Sequence, residues 1–132
     1  MLFVITFTNM KLLCLISCFI FLISCKTPER NCQDYRNGTF EFTAIINGEE
    51  KTTSFTRNEA IEIDIFEGVK DSSSVKWIND CEYILKNLHP KNASQKAPIA
   101  IKILTTNQEG YTFEYGQVGD SNKARGTVKK IK

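Results

Sequence analysis

From Thr39 to Ile46 the chain alternates strictly, with Phe40, Phe42, Ala44 and Ile46 on one side and Thr39, Glu41 and Thr43 on the other. A period of two is that of a half-buried β-strand. Asn47-Gly48 follows, a dipeptide suited to a type I′ turn because both of its central residues need positive φ. A return strand is expected from about Glu49 to Arg57. A third, from Ala60 to Glu67, is expected to turn Ile61, Ile63 and Ile65 to the core and Glu62 and Asp64 to solvent. After a polar turn from Gly68 to Ser72, Val75 and Trp77 share a face, and Asn79-Asp80 marks a tight turn before Cys81, Tyr83 and Leu85. The segment from Asn87 to Pro98 is polar and holds two of the three prolines, which predicts a loop or a single helical turn. Ile99, Ile101 and Ile103 restart the alternation. Asn107 to Gly110 turns the chain into Tyr111, Phe113 and Tyr115, and a last strand is expected around Arg125 to Ile131.

About eight consecutive antiparallel strands in roughly 100 residues predict an all-β domain. The arrangement that suits them best is a small up-and-down barrel of lipocalin type, with a two-sheet β-sandwich as the alternative. One domain is all that 132 residues accommodate once a targeting segment is set aside.

The N-terminal part breaks the pattern. Lys11 precedes an apolar run from Leu12 to Ile23, interrupted by Cys14, Ser17 and Cys18. It is short for a bilayer span and reads as the helix of a signal peptide over residues 1–24, with Met10-Lys11 a better start than Met1. The run ends at Leu22-Ile23-Ser24-Cys25, which resembles the lipobox of bacterial lipoproteins. In that family the cysteine becomes the first mature residue and carries lipid, so Cys25 is the expected site of acylation, palmitate included. Leu15-Ile16-Ser17-Cys18 repeats the pattern earlier, but cutting there would leave Phe19 to Ile23 exposed. Residues 25–37 then form a lipidated cysteine and tether, and 38–132 the β domain.

Seventeen Lys and Arg stand against fifteen Asp and Glu, and of these only Lys11 precedes residue 26. The mature part is therefore nearly neutral, which argues against nucleic-acid binding, since that needs a basic stripe. With Cys14 and Cys18 in the leader and Cys25 lipidated, Cys32 and Cys81 remain. Outside the cytosol they most simply pair as a disulfide, the alternative being buried free thiols. Adding His89 makes no recognisable zinc pattern, and no metal or cofactor is expected.

Nor does a catalytic motif emerge. His89 lies beside Pro90 in the polar loop, and the pairs Glu62 with Asp64 and Asp80 with Glu82 alternate with apolar residues, as on a solvated outer face. The aromatic residues are expected to pack the core, with Trp77, Tyr83, Phe113 and Tyr115 the candidates to line a cavity if the barrel holds one.

Val75-Lys76-Trp77-Ile78-Asn79-Asp80-Cys81-Glu82-Tyr83, with Cys32 to Phe40 and the lipobox, resembles a group of short uncharacterised lipoproteins of Gram-negative bacteria. Some of these carry a DNA topoisomerase IV label, which so short, neutral and exported a chain does not support. The resemblance implies no activity, and it implies that Cys32 and Cys81 belong to one structural unit. The expectation is a non-enzymatic envelope lipoprotein, a structural or binding module anchored to membrane by lipid, with a small apolar ligand or an envelope protein as partner. Lys26 after the lipid site, rather than aspartate, favours the outer membrane. A hydrolase of envelope polymers, using Asp64, Asp80, Glu82 or His89, is the alternative.

Overall fold

A computed structural model describes residues 30–132, so the signal helix expected over residues 1–24 and the expected lipidation site Cys25 lie outside the described residues. Eight antiparallel strands close into a barrel in chain order: β1 (Gly38–Ile46), β2 (Glu49–Arg57), β3 (Ile61–Phe66), β4 (Val69–Asn79), β5 (Glu82–Asn87), β6 (Ile99–Thr106), β7 (Gly110–Gln117) and β8 (Ala124–Lys130). Closure comes from β1 pairing with β8, where Phe42 stands opposite Val128. That seam is short: Phe40 to Phe42 pair with Lys130 to Val128, and toward the other end β1 from Thr43 and β8 before Val128 run on without a ladder between them.

Turn chemistry sets the register. Asn47 and Gly48 both take positive φ (53° and 81°), as a type I′ turn demands, and Glu67 and Gly68 do the same between β3 and β4. The expected polar turn from Gly68 to Ser72 is therefore corrected: the turn is two residues long and β4 already begins at Val69. The loop after β5 contains one short helix, α1 (Ala93–Lys96), whose N-cap Asn92 accepts the Gln95 N–H.

A 3-10 helix, Cys32–Tyr35, lies against one end of the barrel, which we call the base. Residues 30–37, read from sequence as the end of a tether, are docked there. The Asn31 N–H donates to Thr106 Oγ1, Arg30 Nη1 to the Ile103 carbonyl and the Tyr35 hydroxyl to the Asn107 carbonyl. A disulfide joins Cys32 to Cys81 in the turn between β4 and β5, closing a loop with a sequence separation of 49. In the chain-entropy model a loop of that size is worth about 4 kcal/mol.

Core packing is concentrated toward this base. Phe40, Phe55, Val75, Tyr83, Ile101, Ile103, Tyr111 and Val128 are buried there or just above it. Gly126 of β8 is required by its neighbours, because a Cβ at this position would clash with the Phe42 ring and lie 2.9 Å from Phe113 Cε1. Those two rings meet edge to face, their centroids 5.4 Å apart. Gly126→Ala should therefore cost about 1–3 kcal/mol through overpacking, read by urea unfolding, and Phe42→Leu in the same chain should recover part of it. Equal stability of Gly126→Ala and the parent would refute this packing.

Candidate functional site

Which residues face inward follows from the strand register. Arg57 pairs with Glu62, Phe55 with Asp64 and Thr53 with Phe66, so these six share one face, and buried Phe55 fixes that face as the interior. The expectation for β3 is thus inverted: Glu62 is only 4% exposed, whereas Ile65 is 48% exposed on the outer wall. The physical reason is Arg57, whose charge needs a partner inside, and the partner directly opposite is Glu62.

Arg57 is the polar centre of the base, and its side chain has no solvent exposure. Nη1 donates to Glu62 Oε2 at 2.9 Å and to the Tyr83 hydroxyl. Nη2 donates to the Tyr35 carbonyl at 2.6 Å and to the Tyr111 hydroxyl at 3.2 Å. Aromatic faces enclose the guanidinium, with ring centroids 4.6 Å away at Tyr83 and 4.9 Å at Phe40. Such a plane of fixed donors suits arginine and not lysine. Burial works against the charge on Arg57, and the Tyr83, Tyr111 and Glu62 oxygens outweigh it, leaving the guanidinium more firmly protonated. On Glu62 the effect of burial is larger than the pull of Arg57 and raises the carboxyl above its ordinary value.

At the opposite end, the mouth, the interior is divided by chemistry. Asp64 of β3 stands directly across from Asp71 of β4, with Ser73 and Asn87 adjoining on the same wall. Asp71 is held by two donors, the Ser72 N–H at 2.9 Å and Asn87 Nδ2 at 2.7 Å. Burial first, then the charge of Asp71, pushes the Asp64 carboxyl up to about 6. Strand order puts β7 across the barrel from β3, and there Phe113 and Tyr115 stack at 5.3 Å, with the Phe42 ring 6.3 Å from Tyr115. Phe42, Asp64, Phe66, Asp71, Leu85, Asn87, Ile99 and Tyr115 are half-buried, unlike their counterparts near the base. Lys51 at the rim is occupied by Glu67 at 2.7 Å and Glu49 at 3.1 Å, which ties the first hairpin to the β3–β4 turn.

All four residues expected to line a cavity face inward, but they separate into two sets. Trp77 and Tyr83 pack against each other at 4.5 Å within the Arg57 cluster, while Phe113 and Tyr115 continue toward the mouth. Cys32 and Cys81 are joined as one of the two readings of the cysteines had it. The outer-face reading of Glu62 and Asp64 is overturned. Asp80 is at the base, paired with Arg36 at 3.1 Å, Glu82 contacts Lys102 at 3.3 Å, and His89 is exposed in the loop after β5, so these groups do not converge. Among the described residues no group of three or more His, Cys, Asp or Glu could hold a metal ion, and no helix is long and apolar enough to cross a membrane. Open concavities of the surface include a cleft of about 600 Å³ at the base beside Tyr35, Asn107 and Lys130, and one of about 250 Å³ on the outer wall around Ile84, Ala100 and Val118.

Sequence reasoning put Glu62 and Asp64 on the wrong face and passed over Arg57 and Asp71, although a signal existed. If Phe55 faces in, then Arg57 does too, and a short connection to β3 places Glu62 opposite Arg57. Compared with protein-family models, curated proteins and solved structures, the chain matches none.

Two measurements check this description. Arg57→Met leaves Glu62 buried without its partner and should cost about 3–5 kcal/mol in urea unfolding. Adding Glu62→Leu should restore most of the loss, and a double variant no more stable than the single one would refute the pairing. The Asp64 carboxyl binds its proton more tightly folded than unfolded, so stability from this group is present below its unfolded value near 4 and is lost as pH rises through about 6. Asp64→Asn should therefore gain up to about 3 kcal/mol over the parent at pH 8, with the difference vanishing near pH 4.

Proposed function

We propose that this chain is the precursor of a lipid-anchored envelope lipoprotein, held through Cys25, whose barrel is a non-enzymatic binding module. Its mouth takes a small amphipathic molecule, with an apolar part against Phe42, Phe113 and Tyr115 and a hydrogen-bond-donating or cationic part toward Asp64 and Asp71. The observation that carries the reading is the divided, half-buried interior of the mouth above a base packed shut. Apolar walls with a few placed polar groups are the usual lining of a small-molecule site. A buried carboxylate with a raised pKa costs stability, and such costs concentrate at functional positions. Of the hydrolase candidates, Asp80 and Glu82 are held in ion pairs toward the base, away from Asp64 inside the mouth, which favours binding over hydrolysis, because acid, base and nucleophile must share hydrogen-bonding reach.

Dodecylamine, dodecanol and dodecanoate share one chain and differ in the head, and their binding is read by isothermal titration calorimetry. The amine should bind tightest at pH 8, and Asp64→Asn with Asp71→Asn should weaken it about tenfold, or about 1.4 kcal/mol, without affecting the alcohol. Absence of saturable binding by all three would overturn the binding reading. In cells, labelled palmitate should enter the parent and not Cys25→Ala, and labelling of that variant would overturn the anchor.

A further inference from the structure

The end of the barrel at which the chain enters fixes how the module stands on its membrane. Asn31 is bound to Thr106 at the base, and the Cys32–Cys81 disulfide locks the next residue to the base turn. Cys25 lies only six residues before Asn31. Fully straight, that link spans at most about 20 Å. The nine residues of β1 run from base to mouth. At about 3.3 Å per residue and the usual barrel tilt, they separate the two ends by about 20–24 Å. A tether laid taut along the wall would only just reach the level of the rim.

A competing arrangement is suggested by the rim itself. Ile45 is 69% exposed and Val69 56% exposed at neighbouring hairpin tips, where apolar side chains could enter a bilayer. The link is too short to let both the anchor and these tips occupy one membrane without complete extension. We infer that the closed base faces the membrane carrying the anchor and the mouth points away from it, so that any occupant of the mouth arrives from the aqueous side. This rests on the lipidation of Cys25 proposed above. The partner surface of the base is lipid, while the exposed Ile45 and Val69 are left to face outward.

The test uses the full lipidated protein in vesicles containing lipid with a nitroxide headgroup. Bimane is attached through Glu109→Cys, in the base turn between β6 and β7, or through Glu50→Cys, beside the rim turn. With Cys25 acylated and Cys32 joined to Cys81, the introduced thiol is the free one in the mature chain. Quenching at position 109 should exceed that at position 50 at least threefold. Vesicle-bound protein with equal or reversed quenching overturns the orientation and leaves the anchor intact. Protein that carries no lipid and fails to float with the vesicles overturns the anchor, and the orientation with it.

Discussion

A positive charge inside a barrel is tolerable only if polar neighbours answer it, and Arg57, whose two Nη atoms are satisfied while its buried Nε finds no acceptor among the described residues, imposes that condition on most of this fold. Its four hydrogen bonds tie together β3, β5, β7 and the 3-10 helix: Glu62, Tyr83, Tyr111 and the carbonyl of Tyr35. Removing any one of these elements would leave part of a guanidinium dry and unpaired, which costs far more than an apolar contact of the same size. The disulfide acts on the same assembly, since Cys32 holds the helix whose Tyr35 carbonyl caps Nη2. Polar chemistry therefore joins apolar packing in closing the base. Replacing the ion pair by apolar residues can be neutral in stability, so what it supplies is definition of register and of the docked helix.

Much of this was legible from residue pattern alone. Asn47-Gly48 and the alternation on either side gave the first hairpin with its return strand from Glu49 to Arg57, and the eight-strand meander followed from alternating segments separated by turn residues. What failed was a choice between faces. In β3 the isoleucines and the acids alternate perfectly, so the period says that two faces exist and leaves open which one is inside. Hydrophobicity favours isoleucine for the interior, and here it loses to the need of Arg57 for a carboxylate. The β-branched residues instead cover the outer wall, where Ile63 is half-buried between its neighbours and Ile65 is not. The same local rule was sound in β1, β6 and β7, where no buried charge competes.

The inversion of β3 reaches the mouth as well. Once Glu62 is committed to the interior, the two-residue period carries Asp64 inside, and pairing across the β3–β4 hairpin brings Asp71 opposite it. Arg57 is already occupied by Glu62 and two tyrosine hydroxyls, so it neutralises neither aspartate by direct contact. Asp71 is compensated by Asn87 and by a backbone N–H, whereas burial and the charge of Asp71 both oppose ionisation of Asp64. A barrel built for stability alone would carry asparagine or threonine there at no loss to the register. The base thus explains why this wall is polar, but it does not explain why position 64 carries a charge. That residual cost, set across the interior from the Phe42, Phe113 and Tyr115 rings, is the physical ground for assigning binding to the mouth rather than to the more conspicuous arginine below it.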